Sequence, residues 1–167
     1  MPTKPGHPRG RVRKMITVPG NLQVACDQFN RGQYYECHET LEEIWQEEPG
    51  EVRDLYKGLI QLAAAFVHLS RANYVGAERL LRTSREYLTP YAPAALGFDI
   101  AGLSGSAGEV YATLTALGPD GADRFDLRTA PVWRLDEASI GASAAHYRAW
   151  GFTRAGEPEE MAIDVIE

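Results

Sequence analysis

Between residues 21 and 118 apolar positions return every three to four residues, the mark of helices that bury one face. Asn21 is placed to cap a first helix running to about Asn30, with Leu22, Ala25, Cys26 and Phe29 on one side and Gly32 at its stop. A second helix runs from Gln33 or Tyr34 to Glu48 and is ended by Pro49-Gly50. It sets Tyr34, Cys37, Leu41, Ile44 and Trp45 against Glu36, Thr40, Glu43 and Glu47. The third, Glu51 to about Ala72, carries Leu55, Leu59, Leu62, Phe66 and Leu69 on one flank and Ile60, Ala64 and Val67 on the other. A helix apolar on most sides belongs at the centre of a core. Asn73 to about Tyr91 gives a fourth helix with Ala77, Leu80, Leu81, Tyr87 and Leu88 inward, closed by Pro90 and Pro93, and Gly105 or Ser106 to Leu117 gives a short fifth. Short loops between such elements favour antiparallel neighbours. The expected fold is all-α: a compact antiparallel bundle of about five helices with irregular N- and C-terminal extensions.

Charge divides the remainder. Residues 1–20 hold Lys4, Arg9, Arg11, Arg13 and Lys14 with no acid and several prolines, which reads as a basic flexible arm. Residues 21–118 form the helical domain. Beyond Gly118, residues 119–167 are broken by Pro119, Gly121, Pro131, Gly141, Gly151, Gly156 and Pro158 and read as an irregular acidic C-terminal extension. Within it His146, Tyr147 and Trp150 are placed to fold back over the core or to pack on a partner chain.

With 167 residues and a formal charge of −6, the chain has the length for one sizeable core and lacks the bulk charge of a protein that coats nucleic acid. Nucleic acid is expected only through the basic arm, and a homo-oligomer is compatible with the composition. The longest apolar run, Leu62 to Val67, is closed by His68 and is too short to span a bilayer. The first 20 residues have charge but no hydrophobic stretch after it, against a secretory signal. Two cysteines, Cys26 and Cys37, with no CxxC pair fit a reducing cytoplasm, where each serves as a small buried hydrophobe.

Chemistry concentrates on the second helix. His38 and Glu42 stand one turn apart on the same side, and with His38 at zero Trp45 lies at about −20°, Tyr34 at about −40° and Glu42 at about +40°, taking roughly 100° per residue. On the third helix Lys57, Gln61 and His68 make a narrow polar stripe on an otherwise apolar cylinder. Such a stripe wants a polar partner. Three readings fit. As a divalent metal site, His38, Glu42 and His68 supply ligands for zinc, iron, manganese or nickel. As an acid–base pair, Glu42 orients His38 beside the aromatic walls Tyr34 and Trp45, although no nucleophile is apparent. As a packing device, His38, Glu42 and Gln61 close a buried hydrogen-bond network between two helices.

Two known signatures fail. His38-Glu39-Thr40-Leu41-Glu42 begins like HExxH but has glutamate where a zinc peptidase needs a second imidazole. Carboxylate-bridged di-iron bundles use Glu-x-x-His, whereas Tyr35 and Ala65 precede His38 and His68 by three. A third pattern matches. Phe29-Asn30-x-Gly32-x-Tyr34-Tyr35-Glu36-x-His38-Glu39-x-Leu41-Glu42-x-x-Trp45, followed by Tyr56-Lys57-Gly58-Leu59-Ile60-Gln61-Leu62-Ala63 and by Asn73-x-x-Gly76-Ala77-x-x-Leu80-Leu81, resembles the prokaryotic family known as domain of unknown function 309. The likeness covers about residues 24 to 92. It implies an all-helical fold and a metal-binding reading of the HxxxExxW motif at His38, Glu42 and Trp45, and it brings no activity with it.

The expected protein is therefore a cytoplasmic helical one with a metal or small-molecule pocket at His38, Glu42 and Trp45, faced by His68 or Gln61. The alternative is a helical interaction or assembly module in which these residues only fix packing. Gly58 and Gly76, inside helical patterns, point to close helix approach, and Arg79, Arg82 and Arg85 to a solvated face.

Overall fold

Asn21–Asn30 forms α1, Tyr34–Glu47 α2, Arg53–Ser70 α3, Tyr74–Leu88 α4 and Ile100–Leu117 α5. The computed structural model describes residues 11–19, 21–48, 50, 52–136 and 158–166. Consecutive helices pack as antiparallel neighbours. Gly58 of α3 lies against Leu88 and Tyr87 of α4, and His68 at the far end of α3 lies against Gly76. Arg85 of α4 meets Gly108 of α5, and Glu78 accepts a 3.1 Å hydrogen bond from the Tyr111 hydroxyl.

As the all-round apolar pattern predicts, α3 is the central element, with Leu55, Leu59, Leu62, Ala63, Ala65 and Phe66 shut off from solvent. Each turn has a local cause. Gly32, with φ of 78°, takes the left-handed conformation that ends α1. The Asn73 side chain accepts from the Gly76 N–H and caps α4. Among the described residues no helix is long and apolar enough to cross a membrane.

Three departures from the sequence reading matter. First, α5 begins at Ile100, five residues or more ahead of the expected start. Gly102, Ser104, Gly105 and Ser106 depress helix propensity there, but Asp99 accepts a 2.9 Å bond from the Gly102 N–H and starts the helix regardless. Just before it, β2 (Ala94–Ala95) and β3 (Phe98–Asp99) form a minimal hairpin whose two turn residues, Leu96 and Gly97, both have positive φ. Leucine is unusual in that conformation, and its side chain is buried in compensation.

Second, the first part of the C-terminal extension is irregular, as its prolines and glycines indicate, yet it is folded onto the bundle. Residues 119–136 run through two short 3-10 turns and then extend. Phe125 and Trp133 are buried, and the Trp133 ring stacks on Phe29 with centroids 4.2 Å apart while meeting Phe98 edge-on.

Third, β1 (Arg11–Pro19) and β4 (Pro158–Ile166) are strands where an arm and an irregular tail are expected. They pair antiparallel from Arg11 opposite Ile166 to Pro19 opposite Pro158. The β-branched residues Val12, Ile16, Thr17, Val18, Ile163 and Val165 favour this, and basic Arg13 stands opposite acidic Asp164 in the register. Lys4 and Arg9 of the arm, and His146, Tyr147 and Trp150 of the extension, lie outside the described residues.

Candidate functional site

On α2 the one-turn spacing does what it predicts: His38 Nε2 stands 3.5 Å from Glu42 Oε1, with the imidazole about a quarter exposed and the carboxylate nearly half exposed. The Tyr35 ring covers the imidazole, its centroid 6.0 Å away. One turn beyond Glu42's side of the helix, the Trp45 indole is flanked by two cations of α3. The Arg53 guanidinium carbon is 4.1 Å from the ring centroid and Lys57 Nζ is 6.0 Å from it. Arg53 is anchored there by donating to the carbonyls of Trp45 and Glu48. Lys57 also lies 5.1 Å from the Tyr87 ring of α4, so it spans the gap between α2 and α4. Its ammonium forms no ion pair with a described carboxylate.

One turn along α3 from Lys57, Gln61 opens onto a cavity of about 350 Å³ that it lines with Thr83, Glu86 and Tyr87 of α4. The groove thus lies between α3 and α4, and Lys57 at its edge reaches toward Trp45 of α2. Among the described residues five side-chain polar atoms are buried without a hydrogen-bond partner: His38 Nδ1, Trp45 Nε1, Gln61 Oε1, Thr83 Oγ1 and Trp133 Nε1. All but the last belong to residues of α2, α3 and α4, and two of them, Gln61 and Thr83, line the groove.

Two expected members are elsewhere. Tyr34 is no wall of the groove. It turns into the core, its ring 5.0 Å from Phe29 and 5.3 Å from Phe66, where burial pushes its hydroxyl pKa up. His68 shares the stripe with Gln61 but sits seven residues on, about 10 Å further along the axis at 1.5 Å per residue. There its Nδ1 stands 2.9 Å from the Asn73 amide nitrogen. Burial first, then the charges of Arg71 and Arg79, holds its pKa below the ordinary imidazole value. Among the described residues no three His, Cys, Asp or Glu side chains are grouped to hold a metal ion. His38 and Glu42 alone supply fewer ligands than the three or four a resident zinc takes from protein.

Sequence reasoning set Tyr87 inward with the core face of the fourth helix and missed Thr83 and Glu86. The signal was present in outline: Glu86 and Tyr87 follow Thr83 by three and four residues, so the three share a second face on α4 beside the apolar one of Ala77, Leu81 and Leu88.

With the geometry in place, the comparisons with known proteins fall on this same region. Residues 22–80 match the family model described as Domain of unknown function (DUF309). Over that segment the chain is similar to the family. Over 52 residues it is 52% identical to "Uncharacterized protein YpuF" of Bacillus subtilis (strain 168), an overlap of 30% of this chain and 30% of the relative. The chain thus spans less than a third of that relative's length. No solved structure matches. The DUF309 segment contains His38, Glu42, Trp45, Lys57 and Gln61, whereas the α4 wall from Thr83 to Tyr87 lies beyond it.

Proposed function

We propose that the helical domain binds a small polar molecule in the groove between α3 and α4, beside the Trp45 edge of α2. What carries this reading is the set of unpartnered atoms, His38 Nδ1, Trp45 Nε1, Gln61 Oε1 and Thr83 Oγ1. A buried polar group without a partner costs about 1–3 kcal/mol, and most such groups in native proteins are bonded. A network whose only task is packing would close on itself, which speaks against the purely structural alternative. The combination of an indole donor, an amide acceptor, a hydroxyl and an imidazole suits a ligand that both donates and accepts.

The test is nuclear magnetic resonance on nitrogen-labelled protein titrated with a library of small polar fragments. We expect saturable shifts of the Trp45 indole N–H and the Gln61 amide, abolished for Trp45 by Gln61→Leu. Fragments that shift neither signal would defeat the reading and leave the interaction module in its place.

A divalent ion is the second reading, favoured by the 3.5 Å approach of His38 Nε2 to Glu42 Oε1. Zinc titration of untagged protein, with His38→Ala and Glu42→Ala beside it, separates the two: stoichiometric binding lost in both variants supports the ion. A reducing cytoplasm as the setting is supported by the two thiols, both free and both buried.

A further inference from the structure

The charge layout around the groove narrows the class of ligand. Three polar groups lining the cavity offer acceptors: Gln61 Oε1, which has no partner, the exposed Glu86 carboxylate, and the Thr83 hydroxyl. Tyr87 adds an aromatic ring to the same wall. These features call for a positively charged donor, such as a primary ammonium. At the edge of that wall stands the opposite sign, the Lys57 ammonium 5.1 Å from the Tyr87 ring, unpaired with any described carboxylate. Lys57 does not satisfy Gln61 either, since Gln61 Oε1 keeps no partner.

A simple anion would meet Glu86 and leave the Gln61 acceptor unserved. A simple cation would face Lys57. A neutral polyol would fill hydrogen bonds but use neither charge. A molecule that carries both charges on adjacent groups meets all of these conditions, and a cavity of about 350 Å³ is at the small end for ligand sites. We infer that the ligand is an amino-acid-like zwitterion, its ammonium among Gln61, Thr83 and Glu86 and its carboxylate toward Lys57. This inference rests on the polar-ligand reading above.

The experiment is calorimetry on the full chain with each of the twenty standard amino acids, followed for the tightest by its decarboxylated amine and its N-acetyl derivative. We expect measurable binding of at least one amino acid and a loss of tenfold or more for both derivatives, all on the unaltered protein. Lys57→Met should erase the preference over the amine, and Glu86→Gln the preference over the N-acetyl form. An amine that binds as tightly as its parent, or an N-acetyl form that does, overturns the zwitterion. So does the absence of binding by every amino acid. If polar fragments still shift the Trp45 indole in that last case, only the ligand class has failed; if they do not, the groove itself has failed as a binding site.

Discussion

The side-chain amide of Asn30 and the backbone of Trp133 exchange two hydrogen bonds: Asn30 Nδ2 donates to the Trp133 carbonyl and Asn30 Oδ1 accepts from the Trp133 N–H, both at 2.8 Å. The amide stands in for a strand neighbour and fastens the chain beyond α5 to the end of α1, 103 positions away in sequence. Directly beside it the Trp133 ring stacks on Phe29. Asn30→Ala leaves the Trp133 backbone groups unpaired and should lower the unfolding free energy by about 1–3 kcal/mol, read by urea denaturation. Asn30→Asp keeps the acceptor and loses the donor, so it should fall between the two. Trp133→Ala should cost more, about 3–5 kcal/mol, through the void it leaves. An Asn30→Ala variant as stable as the parent would show that the fastening does not matter.

Gly76 is a contact requirement and not a flexible joint. A Cβ there would come within 2.5 Å of His68 Nδ1 and 2.7 Å of its Cγ, so moving the ring tip alone gives no relief. Gly76→Ala should destabilise by about 1–3 kcal/mol despite the better helix propensity of alanine. Shortening the opposing side chain in Gly76→Ala/His68→Ala should restore much of the loss, and a double-mutant cycle measures it. Strict additivity would refute the contact.

His68 also predicts a pH dependence. Its folded-state pKa lies below its ordinary value of 6.5, chiefly through burial and then through Arg71 and Arg79. The unfolded chain therefore binds the proton more readily than the folded one. Its contribution to stability is fully present above about pH 6.5 and declines as the pH falls toward the depressed folded value. The 2.9 Å contact with the Asn73 amide nitrogen fits a neutral ring accepting at Nδ1. Denaturation at pH 5.5, 6.5 and 7.5 should show a smaller rise with pH in His68→Gln than in the parent. Parallel curves would rule the effect out.

The two thiols should be inert in the folded chain. Burial, with Asp27 adding to it, pushes the Cys26 thiol up to about 12, and burial followed by the neighbouring Cys26 pushes Cys37 higher still. Since the thiolate is the reactive form, an aromatic disulfide reagent at pH 8 should modify neither until denaturant is added, whereupon both should react. Rapid modification of the native protein at either position would contradict this.

Much of the helical core is legible in the sequence because its signals are local. Gly32, Asn73 and the Pro49-Gly50 step punctuate the chain within a residue or two of where α1, α2 and α4 start or stop. The pairing of His38 with Glu42 follows from helical rotation alone. What rotation does not give is height. His68 occupies the angular stripe of Gln61 but two turns away, so the expected triad with His38 and Glu42 is not assembled. Tyr34 was misplaced for a related reason: its angle lies on the border between groove and core, and the aromatic partners Phe29 and Phe66 decide the side. Trp133 left no trace, since a single aromatic in a proline-interrupted segment has no period and its partner is far off along the chain. The strands β1 and β4 were hidden by composition, because charge and proline outweigh a two-residue alternation when the segment is read without its partner.

The left-handed Leu96 just after the bundle's fourth helix has a consequence for where this fold can be cut. By burying its side chain in a conformation that leucine ordinarily avoids, the turn aims the chain so that α5 and then Trp133 reach the core built by the first four helices. The match to the family model ends at residue 80, inside α4 and ahead of that turn. A fragment trimmed to it would retain the histidine motif but lose the Tyr87 wall and the lid of Ile100, Leu114 and Trp133. The end of the family match and the end of the packed core are therefore different places in this protein.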